Sequence, residues 1–189
     1  MEKPAMALLK NGQIVADGWR RIGDDEPLPD SGPVIVSLAR WRLEREALEA
    51  RANEARGSIG LVLNSDQGPA SIAGDLAHLD LVALDFPRFQ DGRAYSYARL
   101  LRERYKFTGE LRAVGNVLRD QLLFMRRTGI DAFELPETAN VREWLKAFED
   151  FSVFYQRATD KARAAAELRD RRPNRKPEKA EAVAGVWSY

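Results

Sequence analysis

Cysteine is absent from the 189-residue chain, and histidine occurs once, at His78. The first absence excludes disulfides, thiolate nucleophiles, Cys-ligated zinc and Cys-held iron–sulfur clusters. The second excludes a two-His zinc site and a bis-His haem within one chain. It also leaves a Ser-His-Asp triad only His78, which the sequence places on the wrong edge of a parallel sheet and reads as surface or packing. No apolar run approaches the roughly 18 residues that a membrane helix needs. Thirty Lys and Arg stand against 29 Asp and Glu, a net charge of +1 that gives no pull toward nucleic acid or anionic lipid. Neither a phosphate-loop motif (GxxxxGK) nor a dinucleotide fingerprint (GxGxxG) occurs, which disfavours a nicotinamide or flavin enzyme of the usual Rossmann kind. The N-terminal stretch MEKPAMALLKNGQ has no signal-peptide core. The expectation is a soluble cytoplasmic protein with no nucleic-acid, membrane, metal or cofactor site.

What is present is a repeating pattern. Met6 to Leu9, the turn dipeptide Asn11-Gly12 and Ile14-Val15 read as a hairpin, followed by the acidic loop Gly23 to Gly32 (GDDEPLPDSG). Short β-branched or apolar runs then recur at Val34–Leu38, Ile59–Leu63, Leu81–Leu84, Leu111–Val114 and Ala132–Leu135. Between and after them lie helical patterns at Trp41–Arg56, Arg93–Tyr105, Val117–Thr128 and Asn140–Ala158, with a short one at Ser71–Ala77. This alternation predicts an α/β fold of about five βα units around a mainly parallel sheet. It fits either a flavodoxin-like open sheet or an incomplete β/α barrel, with a small N-terminal hairpin. The division is 1–32 hairpin and loop, 33–160 α/β domain, and 161–189 a basic tail. That tail ends in AVAGVWSY, an aromatic segment that either folds back on its own domain or docks in a partner's groove.

In such sheets ligands bind at the C-terminal ends of the strands. That rule selects the loop DFPRFQDGRAYS, where Arg88 and Arg93 can form a fork for an oxyanion such as sulfite, sulfate or phosphate. Asp91 caps the following helix or pairs with an arginine, and Ser96 lies in its first turn. The loop VGNVLRDQL adds Asn116, read as an N-cap, with Arg119 and Asp120 behind it. Asp85 and Glu134, on loops of the same edge, are the candidate general acid and base.

The segments DFPRFQDGRAYSYARLLRER, GELRAVGNVLRDQL and RRTGIDAFEL resemble a family of uncharacterised bacterial proteins described as oxidoreductases of sulfite reduction. The hairpin and VIVSLARW fit the same layout. The resemblance implies Asp85, Pro87, Arg88, Phe89, Asp91, Gly92, Arg93, Ser96 and Arg102 as signature residues, and Gly109 to Arg112, Gly115, Asp120 and Gln121 besides. The family commonly has Asp where this chain has Asn116. The resemblance also implies a role in assimilatory sulfite or sulfate reduction beside a sirohaem-dependent nitrite/sulfite reductase. With no cysteine and no dinucleotide motif, the expected part is an accessory one, either binding the reductase or binding its oxyanion substrate. The other reading is a small-anion enzyme working at the two loops.

Overall fold

The computed structural model describes residues 7–53, 57–160 and 164–169. One sheet holds β1 (Leu8–Lys10), β2 (Gln13–Val15), β3 (Arg20–Arg21), β4 (Val34–Ser37), β5 (Ile59–Leu63), β6 (Leu81–Phe86), β7 (Glu110–Gly115) and β8 (Ala132–Glu134). Their order is β2-β1-β8-β7-β6-β5-β4-β3. Neighbours from β3 to β8 are parallel, and β1 runs antiparallel to both β8 and β2. The class is therefore mixed α/β with an open, mostly parallel sheet, larger than the five units expected. The parallel strands follow sequence order, without the reversal that a doubly wound sheet contains. Asn11 and Gly12 both take positive φ, as a tight hairpin turn requires, and β1 joins the main sheet through β8.

Sequential order with right-handed crossovers puts all helices on one face. That face carries the main core. Val34, Val36, Ile59, Leu61, Val82, Leu84, Leu111, Ala113 and Phe133 point outward from the strands. They meet Trp41 of α1 (Leu38–Leu43), Leu48 of α2 (Arg45–Asn53), Ala94, Ala98 and Leu101 of α3 (Arg93–Glu103), Leu122 and Met125 of α4 (Leu122–Arg127) and Trp144 of α5 (Val141–Lys146). The opposite parity makes a second, smaller cluster of Ile35, Val62, Leu81, Ala83 and Val114, covered by Trp19.

The sheet must curl strongly. β2 and β3 sit at its two edges yet are joined by residues 16–19 alone. Eight flat strands would part those edges by about 34 Å, whereas the five steps from Val15 to Arg20 span at most about 17 Å. The connecting strap therefore crosses a nearly closed mouth and drops Trp19 onto the inner face. Gly60 leaves room for it: a Cβ there would stand 3.1 Å from Trp19, Ile35 and Leu81 side chains alike. Gly60→Ala is expected to overpack this layer at a cost of about 1–3 kcal/mol, read by urea denaturation, with a shift in tryptophan emission.

Several helices are shorter than their sequence patterns. The first pattern breaks at Glu44 into α1 and α2, leaving Leu43 84% exposed rather than on the packed side; its last residues, 54–56, lie outside the described ones. Ser71–Ala77 becomes two 3-10 turns, Pro69–Ile72 and Leu76–His78. The third pattern starts with a 3-10 turn, Arg119–Gln121, before α4. The fourth stops at Lys146 and gives way to turns over 147–149, and the FSVFY stretch beyond them, rich in aromatic, β-branched and serine residues with weak helix propensity, does not resume it. A last short helix, α6, spans Ala165–Arg169. The rest of the basic tail, with its aromatic end, falls outside the described residues.

Candidate functional site

Two polar clusters stand out, one at the C-terminal edge of the parallel strands and one inside the curled sheet. The first is the β6–α3 loop. Arg93 donates through Nε and Nη2 to both Asp91 carboxylate oxygens, at 2.9 and 2.7 Å, and through Nη2 to Ser65 Oγ at 2.9 Å. The Asp91 carboxylate also accepts the Arg93 backbone N–H at the start of α3. The Arg93 bond is the main reason that the Asp91 carboxyl is held well below the usual carboxylate range. Arg88 is exposed beside this pair, and with Ser65, Pro87 and Gln90 it lines a shallow surface hollow. Ser96 also faces solvent.

The β7–α4 loop sits next to the first but turns its cation away. Arg119 donates to both Asp150 carboxylate oxygens, at 3.1 and 3.2 Å, and to the Glu143 carbonyl at 2.9 Å. Arg93 and Arg119 thus each face a carboxylate of their own. Asp120 approaches Tyr95 of α3, whose phenol is pushed up to about 12, first by burial and then by that negative charge. Asn116 does not cap a helix: the cap positions are Leu118 for the 3-10 turn and Gln121 for α4. Its backbone N–H instead donates to the Phe86 carbonyl at 2.7 Å, closing the end of β7 onto β6.

The second cluster lies on the inner face of the curled sheet, where the two candidate acid–base residues are found. Strand parity sends Lys10, Asp85, Glu110, Arg112 and Glu134 inward. Arg112, fully buried, is the hub. It bonds Glu110 at 2.7 Å, the strap residue Asp17 through both carboxylate oxygens at 2.7 and 3.1 Å, and Glu134 at 3.4 Å. Glu110 also accepts from Lys10 at 2.7 Å. Burial alone would lower the Arg112 pKa, but these carboxylates outweigh it and raise it.

Nearer the strand C-termini the balance changes. Burial pushes the Glu134 carboxyl up, against the pull of Arg112 and Arg21 and with the help of Asp17. Burial pushes Asp85 up as well, with Asp91 adding to it and Arg21 opposing. Arg21, on edge strand β3, thus acts on carboxyls of both β6 and β8, as only a curled sheet allows. Four inward carboxyls (Asp17, Asp85, Glu110 and Glu134) meet three cations (Lys10, Arg21 and Arg112). Burial thus makes Asp85 and Glu134 take up a proton more readily than freely solvated carboxyls do, the direction that suits acid–base work. Among the described residues no cluster of His, Asp or Glu is arranged to hold a metal ion.

The Asp85 shift has a stability consequence. Its folded pKa lies above the unfolded one, so its neutral form is favoured in the fold. That contribution is complete below about pH 4, the unfolded aspartate value, and is lost as pH rises through the higher folded pKa. Asn stays neutral throughout. Asp85→Asn is therefore expected to be more stable than the parent at about pH 8, with the difference shrinking toward about pH 4 in parallel urea titrations.

Asp17 and Arg21 do not stand out in the sequence, and Arg112 enters there only as a signature residue that the resemblance implies, without a site role. The signal for Arg112 was an arginine inside the apolar run LRAV, since a cation in a buried strand needs carboxylate partners. Nothing local marks Asp17 or Arg21; only the curl brings them in. Arg102, by contrast, stays at the other end of the sheet. It ties the Phe107, Gly109 and Gly129 carbonyls and the Asp131 carboxylate together at 2.7 to 3.0 Å, a purely structural clamp.

Fold and site together define a mixed α/β protein with an open, curled, mostly parallel sheet and an acid-rich inner mouth. The chain belongs to a bacterial protein family of unknown function, DUF934, whose model matches residues 60–166. Among curated proteins none matches the chain. No helix among the described residues is long and apolar enough to cross a membrane.

Proposed function

We propose that this protein serves assimilatory sulfite and sulfate reduction in the cytoplasm, as an accessory to a sirohaem-dependent nitrite/sulfite reductase. The family resemblance of the segments around Asp85–Arg104 and Gly109–Leu122 supports the pathway. The observation that carries a part in it is the grouping of Asp85 and Glu134 with Arg21 at the inner mouth. Reduction of sulfite consumes protons as well as electrons. A guanidinium beside carboxyls that burial makes easier to protonate can hold a small oxyanion and supply it with a proton, and a chain without cysteine leaves the electrons to its partner.

The same grouping favours a second reading, an enzyme that itself performs proton transfer on a small anion, with Asp85 and Glu134 as acid and base. Both readings place the anion at Arg21, and Arg88 is a solvent-facing arginine of the β6–α3 loop. They part on the reductase. The tagged full chain, expressed beside a sirohaem reductase, is expected to retain it through affinity purification under the first reading. Failure to retain it, together with a thermal upshift by sulfite alone, selects the second. No retention and no upshift with sulfite, sulfate or phosphate would remove both, because a ligand of the native state must raise stability.

A further inference from the structure

Five of the large apolar side chains that stand in solvent come from a short stretch of the C-terminal half. Phe124 of α4 is 52% exposed, Phe151 57%, Val153 54% and Tyr155 85%, and Leu168 of α6 joins them. Phe124 and Phe151 touch, with ring centroids 6.5 Å apart. Phe154, between Val153 and Tyr155, turns the other way, under the Arg127 guanidinium, 3.7 Å from its centroid. The stretch is held down by neighbours of its own: Ala165 N–H donates to the Phe154 carbonyl at 2.7 Å, and Thr159 N–H to the Arg127 carbonyl at 3.1 Å. The touching Phe124 and Phe151 rings, each about half exposed, have no cover among the described residues, and an exposed aromatic pair is the form of a docking site.

We propose that the Phe124–Phe151 pair is covered by the chain's own end, residues 183–189 (VAGVWSY), with Trp187 and Tyr189 packed on the two rings. Twenty residues follow Arg169 in the sequence. The hydrogen bond from Ala165 to Phe154 starts them at the patch itself. The 14 steps from Arg169 to Val183 reach up to about 46 Å, far more than a return to the patch requires. The intervening RDRRPNRKPEKAE is charged and Pro-punctuated, a linker with nothing apolar to bury, whereas AVAGVWSY is apolar and aromatic. A tether of this length holds its end at a millimolar effective concentration, so modest aromatic contacts suffice for docking within one molecule.

The test adds a peptide of residues 180–189 (AEAVAGVWSY) to full-length protein and measures binding by fluorescence anisotropy. The wild type, with its surface occupied, is expected to bind it at least about 30-fold more weakly than the tail variant Trp187→Ala/Tyr189→Ala. Adding Phe151→Ser to the tail variant should abolish binding, and circular dichroism checks that this surface change leaves the fold intact. Equal binding to wild type and tail variant, or binding to neither, overturns the proposal, as does peptide binding that survives Phe151→Ser. A wild-type dimer that the tail variant dissociates would also overturn it, since the segment would then cover a second copy rather than its own chain.

Discussion

Replacing Arg112 with alanine is expected to destabilise the protein by about 3–5 kcal/mol, one of the two largest single-residue effects the structure implies. The side chain is fully buried and holds three carboxylates, Glu110, Asp17 and Glu134. Removing the cation leaves them facing one another with only Lys10 and Arg21 to balance them, and taking buried charge out of its pair costs far more than a surface pair contributes. In a chain of this size the loss corresponds to a Tm lower by about 10 °C or more. The deficit should depend on pH with a definite sign. Without Arg112 the three carboxyls shift up in the folded state, so the variant recovers as pH falls toward the unfolded carboxyl values near about 4 and worsens as pH rises. Pairing Arg112→Ala with Glu110→Gln should restore part of the loss, a coupling that a double-mutant cycle reads directly. A deficit below about 1 kcal/mol, or one that is flat with pH, would mean that the inner network does not hold the sheet together.

Gly115→Ala is expected to cost about 2–5 kcal/mol, for a different reason. Gly115 closes β7 with φ of +87°, where any side chain is strained. A Cβ there would also stand 2.6 Å from the Asp85 Oδ1 atom and 2.9 Å from the Phe86 carbonyl oxygen. Relief of the second contact must come from the backbone, since Phe86 pairs directly with Gly115 across the sheet. Relief of the first must come from Asp85, so the substitution disturbs that carboxyl, the proposed acid–base group, as well as the strand end. A calorimetric unfolding scan measures the cost. A titration of sulfate onto the variant should show weakened binding even at temperatures where the variant is fully folded.

The elements of the sheet were readable in the sequence because strands buried on both faces are uniformly apolar: VIVS, IGLVL and LVALDF announce themselves. The Asn11-Gly12 hairpin was readable because its turn needs positive φ twice. The curl was not, since it follows from which strands are edge strands, and Arg20-Arg21 is too short and too charged to read as a strand at all. With the curl went most of the site. Asp85 and Glu134 could be chosen from their place at strand ends, but their partner Arg21 comes from the far edge, and Asp17 from the strap. The anion fork of Arg88 and Arg93 looked plausible as spacing. The structure gives Arg93 to Asp91 and Ser65, and Arg119 to Asp150, because short-range carboxylates satisfy a guanidinium before a distant loop can. Helix ends are less legible: the apolar periodicity of Trp144, Leu145, Phe148 and Phe151 runs on past Lys146, where the helix itself gives way to turns.

The proposed function requires that Arg21, Asp85 and Glu134 form one anion-binding mouth, which binds better as its carboxyls take up protons. Isothermal titration of sulfate, which keeps its charge across the range, tests it at about pH 8 and at successively lower pH down to about 5 on the parent chain and on Arg21→Gln. Binding several-fold tighter at the lowest pH, and lost in Arg21→Gln throughout, is the predicted result, because neutral carboxyls donate hydrogen bonds where ionised ones repel. Affinity that is unchanged by pH and by the loss of Arg21 would contradict the site.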